Sequence, residues 1–351
     1  MVNAAILPGV LICPHRHGIA PRPFAERNDR MLTVRGISYL VGEIPVDIVR
    51  RDLTAIRDDL HCTAVMSIGA DVDQLIAVAG QALDLGLDVY IRPNATELRP
   101  PELLAHLTRT AASAEQLRIR YPGKVTLLVG SEFSHTARGI VPGFRSYLRL
   151  RLILRARTLL RHRIDRRLDA LLAKAAETAR DVFHGPVTYA AAGWESVDWS
   201  RFDLVGVSLY RSGTDHTSYE RRVRALVGES AKPVVITEFG CGAFTGADVR
   251  GPGSFQIVNW YARPPRIMDA HPRDENTQAR YLTELIDLYD QTGVHGAFVF
   301  TFSMPDFAHH DDPALDLDRA GFGIVTVTAD HPAQWRPKAA FRAVAHRYGG
   351  R

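Results

Sequence analysis

Two glutamates each close an apolar run of this chain. Val125-Thr126-Leu127-Leu128-Val129-Gly130-Ser131 ends on Glu132, and Pro233-Val234-Val235-Ile236-Thr237 ends on Glu238. A carboxylate closing a buried strand is costly to desolvate unless it reaches a cleft or a partner. Taken singly, each reads equally well as a salt-bridged or helix-capping group. Taken together, two carboxylates facing one pocket can break a C–O bond: one attacks or stabilises the carbon while the other protonates the leaving oxygen. That chemistry requires a fold that brings two distant strand ends to one place.

The order of elements supplies such a fold. Short β-rich runs recur at Leu32–Tyr39, Thr63–Ile68, Asp88–Arg92, Val125–Gly130, Val187–Ala191, Leu204–Leu209, Val234–Thr237 and Ala297–Phe302. Stretches of helical periodicity lie between them, among them Asp47–Leu60, Val72–Leu85, Pro101–Tyr121, Asp165–Phe183, Tyr219–Val227 and Asn276–Thr292. Strand and helix in alternation imply parallel βα units. Eight strands spread along most of the chain fit a closed (β/α)8 barrel, and the Gly-rich phosphate turn of an open dinucleotide-binding sheet is missing. The fourth and seventh strands of such a barrel face each other across its mouth. The expected organisation is a leader over 1–30 and one barrel over 31–351, with insertions at Ser134–Ile164 after the fourth strand and Phe239–Asp274 after the seventh. Both insertions leave from the C-terminal face, where barrels of this kind carry their sites.

The 351 residues are 46% hydrophobic and 23% charged, ordinary globular material, with a formal net charge of +4. The positive charge is local. Between Arg145 and Arg167 stand nine arginines and one acid, Asp165, a local +8 that leaves about −4 for the rest. A nucleic-acid partner is therefore not expected of the barrel. Leu160, Ile164, Leu168, Leu171 and Leu172 follow a three-or-four spacing, so a helix with one apolar seam runs through this region. Over 145–172 the readings that stay open are a solvated face capping the barrel mouth, a clamp for an anionic substrate, a docking surface for a protein partner or second copy, and an interfacial helix. No stretch reaches the roughly 18 apolar residues of a membrane span. Cys13, Cys62 and Cys241 are too few and too scattered for a disulfide framework or a zinc site, which points to a reducing cytoplasm. The apolar run Ala4–Cys13 lacks a preceding basic residue and is broken by Pro8, unlike a signal peptide.

The layout, with Glu132 ending the fourth strand and Ile236-Thr237-Glu238-Phe239-Gly240 ending the seventh, resembles the retaining two-glutamate clan of TIM-barrel glycoside hydrolases. The stretches Leu60-His61-Cys62-Thr63-Ala64-Val65, Gly193-Trp194-Glu195-Ser196-Val197-Asp198-Trp199 and Val294-His295-Gly296-Ala297-Phe298-Val299-Phe300 look like a group of uncharacterised actinobacterial proteins, some of them labelled "abortive infection protein". The resemblance implies that Glu132 is the acid/base, Glu238 the nucleophile, and Tyr210 a hydrogen-bond donor to the nucleophile. It implies no cofactor. Two positions depart from the clan pattern: Ser131 stands where Asn usually holds the sugar 2-hydroxyl, and Phe300-Thr301-Phe302-Ser303 stands where many members place Trp as a sugar platform. The departures leave room for an unusual glycoside, or for elimination or cyclisation on the same carboxylates.

Other residues complete the expectation. Trp194 and Trp199 flank the exit of the fifth strand and would either stack on a sugar ring or pack the barrel rim. Arg92 would bind an anionic substrate group or hold Glu132 ionised. Phe302 would line the substrate site; Asp306, Asp316 and Asp318 would line the cleft or sit solvated. His309-His310-Asp311-Asp312 has metal-like composition, but consecutive loop residues cannot all face one ion, so no metal is expected. The resulting expectation is a glycosidase-like enzyme acting on a small-molecule substrate, sugar or anionic. A lyase or cyclase, and a catalytically silent barrel that binds a partner through its Arg-rich helix, stand as alternatives.

Overall fold

A computed structural model describes residues 32–350 apart from 43, 269 and 270. The leader over 1–30, with the apolar run Ala4–Cys13, lies outside the described residues. Eight parallel strands form a closed barrel: β1 (Val34–Leu40), β2 (Ala64–Gly69), β3 (Asp88–Pro93), β4 (Val125–Ser131), β5 (Val187–Ala192), β6 (Val205–Ser208), β7 (Val234–Phe239) and β8 (Gly296–Val299). Each strand pairs with its sequence neighbour, and Val34–Ile37 of β1 lie in register with Gly296–Val299 of β8, which closes the ring. The expected (β/α)8 barrel is the fold observed.

The strands separate two apolar layers, as a pleat of period two requires. Inside the ring, Val34, Ala64, Met66, Ile68, Tyr90, Leu128, Ala190, Leu204, Val235 and Phe298 fill the interior. The alternate residues of the same strands, such as Ile37, Val65, Val89, Leu127 and Ile236, pack outward on the helices. Helices α1 (Val46–Asp58), α2 (Val72–Asp84), α3 (Pro100–Arg120), α4 (Ser146–Arg180), α5 (His216–Glu229), α6 (Glu275–Thr292) and α7 (Ala339–Gly349) form the outer shell. Only a short 3₁₀ turn, Trp199–Arg201, links β5 to β6, so among the described residues that crossover has no α-helix.

The Arg-rich insertion and the helix expected from Asp165 are one element. Helix α4 starts at Ser146, runs 35 residues and bends at Ala156, whose backbone leaves helical geometry. Its seam is as the spacing predicts: Ile164, Leu168, Leu171 and Leu172 are buried and Leu160 is partly so, and Ile153 extends the buried side upstream. After β7 the second insertion forms a short hairpin pairing Val258–Asn259 with Arg266–Ile267. Cys62 and Cys241 are buried free thiols. No described helix is long and apolar enough to cross a membrane.

Glycine at position 36 allows the barrel floor to fill. It faces inward on β1 opposite Phe298, and a Cβ there would collide with that ring. Gly36→Ala should therefore overpack the interior and destabilise the fold by about 1–3 kcal/mol. A denaturant midpoint equal to that of the unsubstituted protein would contradict this packing.

Candidate active site

Two irregularities in the sheet aim the carboxylates. In β7, Val207 of β6 pairs with Ile236 but Ser208 pairs with Glu238, so Thr237 is an extra residue. The neighbour on the other side repeats the count, with Ala297 opposite Ile236 and Val299 opposite Phe239. Val235 points inward and Ile236 outward, so strict alternation would send Glu238 to the helices. The bulge restores it to the mouth. In β4 the register also shifts between Leu128 and Ser131. Glu132 then adopts a left-handed backbone (φ 48°, ψ 45°), a costly conformation for a residue with a Cβ. Backbone of this kind persists where the surroundings over-determine it, commonly at functional sites.

Glu238 is buried and both of its oxygens are engaged. Tyr210 donates its phenol to Oε2 at 2.6 Å, and the guanidinium of Arg92 donates to Oε1. Arg92 had been expected to bind a substrate anion or to hold Glu132; instead its Nη1 is paired with Glu238, while its buried Nε finds no partner among the described residues. The Tyr210 phenol is pushed well above its ordinary range by burial, then by the charge of Glu238 that it hydrogen-bonds and by that of Glu132. Both carboxylates thus act on one phenol, and the phenol keeps the proton it donates.

Glu132 is held differently. Its Oε2 meets Nε2 of His135 at 2.7 Å, and Nδ1 of that ring meets Oγ of Ser146 at 2.8 Å. Among the described residues Oε1 of Glu132 has no hydrogen-bond partner, and its side chain keeps 20% exposure. A half-buried glutamate that does not stand out in the sequence, Glu195, supports the turn that follows. It accepts from the backbone of Ser134 (2.8 Å) and of Ala192 (2.9 Å) and from the phenol of Tyr189 (2.9 Å). The signals were present: Glu132 and His135 are spaced i, i+3, and Glu195 adjoins Trp194, but neither spacing reveals a partner in another element.

The remaining candidates divide. Trp194 is half-buried, donates Nε1 to Oγ of Ser134 (3.1 Å) and lies 6.3 Å from the His135 ring, beside Glu132. Trp199 packs edge-on against Phe202. Ser131 lines a narrow crevice with Pro93, Asn94, Thr96 and Thr136. Phe302 is a correction: it is fully buried against Tyr39 and Trp335 and presents no face to a ligand. The aromatic that borders the mouth is Phe300, 6.2 Å from Phe322, whose ring is 5.9 Å from Tyr210. Asp306 is exposed on the loop after β8, with no contact to either glutamate. Asp316 and Asp318 are neither cleft-lining nor solvated; they are buried with Arg273 and Lys338 in an ion cluster, Lys338 Nζ lying 2.7 Å from Asp318. His309 turns to Asp316 (2.9 Å), and His310 accepts from the backbone of Asp312. Among the described residues no group of three or more His, Cys, Asp and Glu is placed to hold a metal.

No protein-family model and no curated protein matches this chain. Solved structures do match in fold. A GH113 β-1,4-mannanase superposes with TM-score 0.62 at 14% identity, over 92% of this chain and 100% of the other. A β-glucuronidase from Ruminococcus gnavus gives TM-score 0.55 at 17% identity over 92% of this chain and 50% of the other. A β-glucosidase mutant derived from a hyperthermophilic tetramer gives 0.53 at 11% identity over 86% and 84%. At such identities the likeness is one of architecture: the chain shares the closed (β/α)8 barrel of these enzymes.

Glu195 yields a prediction with a definite sign. Burial, the largest influence, raises its carboxyl above the ordinary 4.5, against the pull of its hydrogen bonds. A raised folded value means the native state holds the proton more tightly than the unfolded chain, so this contribution is full below 4.5 and is lost as pH rises through the raised value. The stability difference between the native protein and Glu195→Ala should accordingly shrink from acid to neutral pH in denaturant titrations. A difference that grows with pH would show that the donors, not burial, dominate.

Proposed function

We propose that the protein is a glycoside hydrolase working by retaining double displacement, with Glu238 as nucleophile and Glu132 as acid/base. The observation that carries this reading is the unequal treatment of two glutamates at one barrel mouth. Glu238 has a guanidinium on one oxygen and a phenol on the other, an arrangement suited to an anion kept in place for attack. Glu132 has one oxygen anchored and one free, as a group must that delivers a proton to a leaving oxygen and later takes one from water. Paired carboxylates whose environments differ in this way commonly divide into these two roles. The fold shared with a mannanase, a glucuronidase and a glucosidase raises the prior for C–O bond chemistry by analogy. Trp194, half-buried beside the His135 ring that meets Glu132, supplies a surface for a sugar ring.

One observation keeps a lyase or cyclase in view. The inward positions at the ends of β1, β2 and β8 are Leu40, Ile68 and Phe300, all apolar. Among the described residues, the charged and hydrogen-bonding groups around the two glutamates, Arg92, His135 and Tyr210, lie on the arc from β3 to β7, so a fully hydroxylated ring would find these partners on one side. An unusual glycone, or a substrate that loses its leaving group without hydrolysis, suits such a mouth better. With Arg92 committed to Glu238, an anionic substrate would need a different cation.

Glu238→Gln should abolish turnover while leaving fold and ligand binding intact, because it removes the charge and the attacking oxygen but keeps shape. Glu132→Gln should cost much less in bond breaking for an aryl glycoside with a good leaving group than for one with a poor one. Single-turnover kinetics on a panel of aryl glycosides, with NMR of the first anomer released, provide the check. Near-native activity in Glu238→Gln, or inversion at the anomeric carbon, would defeat the double-displacement reading.

A further inference from the structure

We infer that His135 is the positioning residue of the acid/base, and that the Arg-rich helix exists in part to hold it there as the Nε2–H tautomer. The inference rests on Glu132 being the acid/base. A general acid/base must be comfortable with and without its proton. A bare Nε2 at 2.7 Å from Oε2 of Glu132 would accept from the protonated carboxyl but would set a lone pair against the carboxylate. A neutral ring that carries its hydrogen on Nε2 serves both states. It donates to the carbonyl oxygen of the acid while Oε1–H faces the substrate, and once that proton has passed to the leaving oxygen it donates to the carboxylate. No other bond changes, and the hydrogen bond strengthens as negative charge develops.

The partner of the other nitrogen is matched to this form. Nδ1 of His135 lies 2.8 Å from Oγ of Ser146, a hydroxyl able to donate to it. Ser146 is the first residue of α4, and its placement is over-determined. Its backbone N–H donates to Oε1 of Glu97 on the loop after β3. The other oxygen of Glu97 accepts from Nη2 of Arg149 at 2.9 Å. Arg149, wholly buried, also donates to the carbonyls of His135 (2.7 Å), Thr136 (3.0 Å) and Gly143 (2.9 Å). The guanidinium thus ties the start of α4 to the very turn that carries His135. On its other flank that turn meets Trp194 and Glu195. Of the nine arginines between Arg145 and Arg167, this one is fully inside, where a buried cation is tolerated only with full hydrogen bonding.

Two measurements test the inference. The first needs no substrate: ¹⁵N–¹H correlation spectra of the imidazoles, recorded at a pH where the ring is neutral, should show His135 protonated on Nε2. Ser146→Ala should let the Nδ1–H form appear. An Nδ1–H ring in the native protein, or a tautomer indifferent to Ser146→Ala, would overturn the assignment. The second is kinetic. His135→Ala should lose about 10- to 100-fold on a poor-leaving-group aryl glycoside, the value of a charge-assisted hydrogen bond, and little on a good one. His135→Gln, which keeps one N–H donor, should recover most of that loss. If the native enzyme hydrolyses the panel and His135→Ala behaves like it with both leaving groups, the positioning role is wrong while the hydrolase reading stands. If the native enzyme hydrolyses nothing, the hydrolase reading falls, and the spectra alone decide whether Ser146 fixes the ring beside Glu132.

Discussion

A carboxylate carried into the mouth of a barrel gives up most of its water, and the penalty is several kcal/mol unless charge and hydrogen bonds replace it. Glu238 is in this position, and much of the upper barrel is arranged around it. The β7 bulge delivers it to the mouth, β3 contributes the Arg92 guanidinium and the residue two beyond the end of β6 contributes the Tyr210 phenol. Each partner depends on the others, because Arg92 is as buried as the acid it meets. Removing either charge from such a pair leaves the other uncompensated, at a typical cost of about 3–5 kcal/mol. The arrangement therefore ties β3, β7 and the exit of β6 together at the mouth.

The opposite side of the mouth is built from outside the ring. Glu132 sits past the end of β4 on strained backbone, and the groups that hold it come from the turn after β4, the loop after β5 and the first turn of α4. The insertion that looks, by composition, like a polycation is thus two things along one helix. Its inner side carries Arg149, Ile153 and Ile164 into the protein. Its outer side leaves Arg145, Arg151, Arg155 and Arg161 in water with Tyr147, Leu154 and Leu159. Local charge counts describe the second side and hide the first.

What was legible in the sequence follows from which forces are local. Strand and helix periodicity is a property of neighbours along the chain, so all eight strands and their order could be read, with ends misplaced by a residue or a few. The two glutamates were legible because each is a lone charge at the end of an apolar run. Arg92 was legible as an inward cation, but its partner was not, since β3 lies nearer β4 than β7 in the ring and only the three-dimensional mouth brings it to Glu238. Phe302 does not line the mouth because the inward phase of β8 ends at Phe300; two residues later the chain has turned back over Tyr39. Asp316 and Asp318 look like loop acids in the sequence because their counter-ions, Arg273 and Lys338, come from other segments of the chain.

Glu195 and His135 escaped for a related reason that bears on how such sites evolve. Neither closes a strand, and neither stands out by type from the many acids and histidines of the chain. Their importance comes from convergence: Glu195 gathers one donor from the turn after β4 and two from β5, and His135 joins an acid on its own turn to a serine on an insertion. A barrel fixes its strand ends to within the tolerance of sheet pairing, but acid/base chemistry demands tighter placement than that. The difference has to be made up by groups outside the sheet, and these are the parts most free to differ between barrels of the same architecture. What is particular to this protein therefore lies in the supports around its two strand-end carboxylates, the Glu195 and His135 contacts and the first turn of α4.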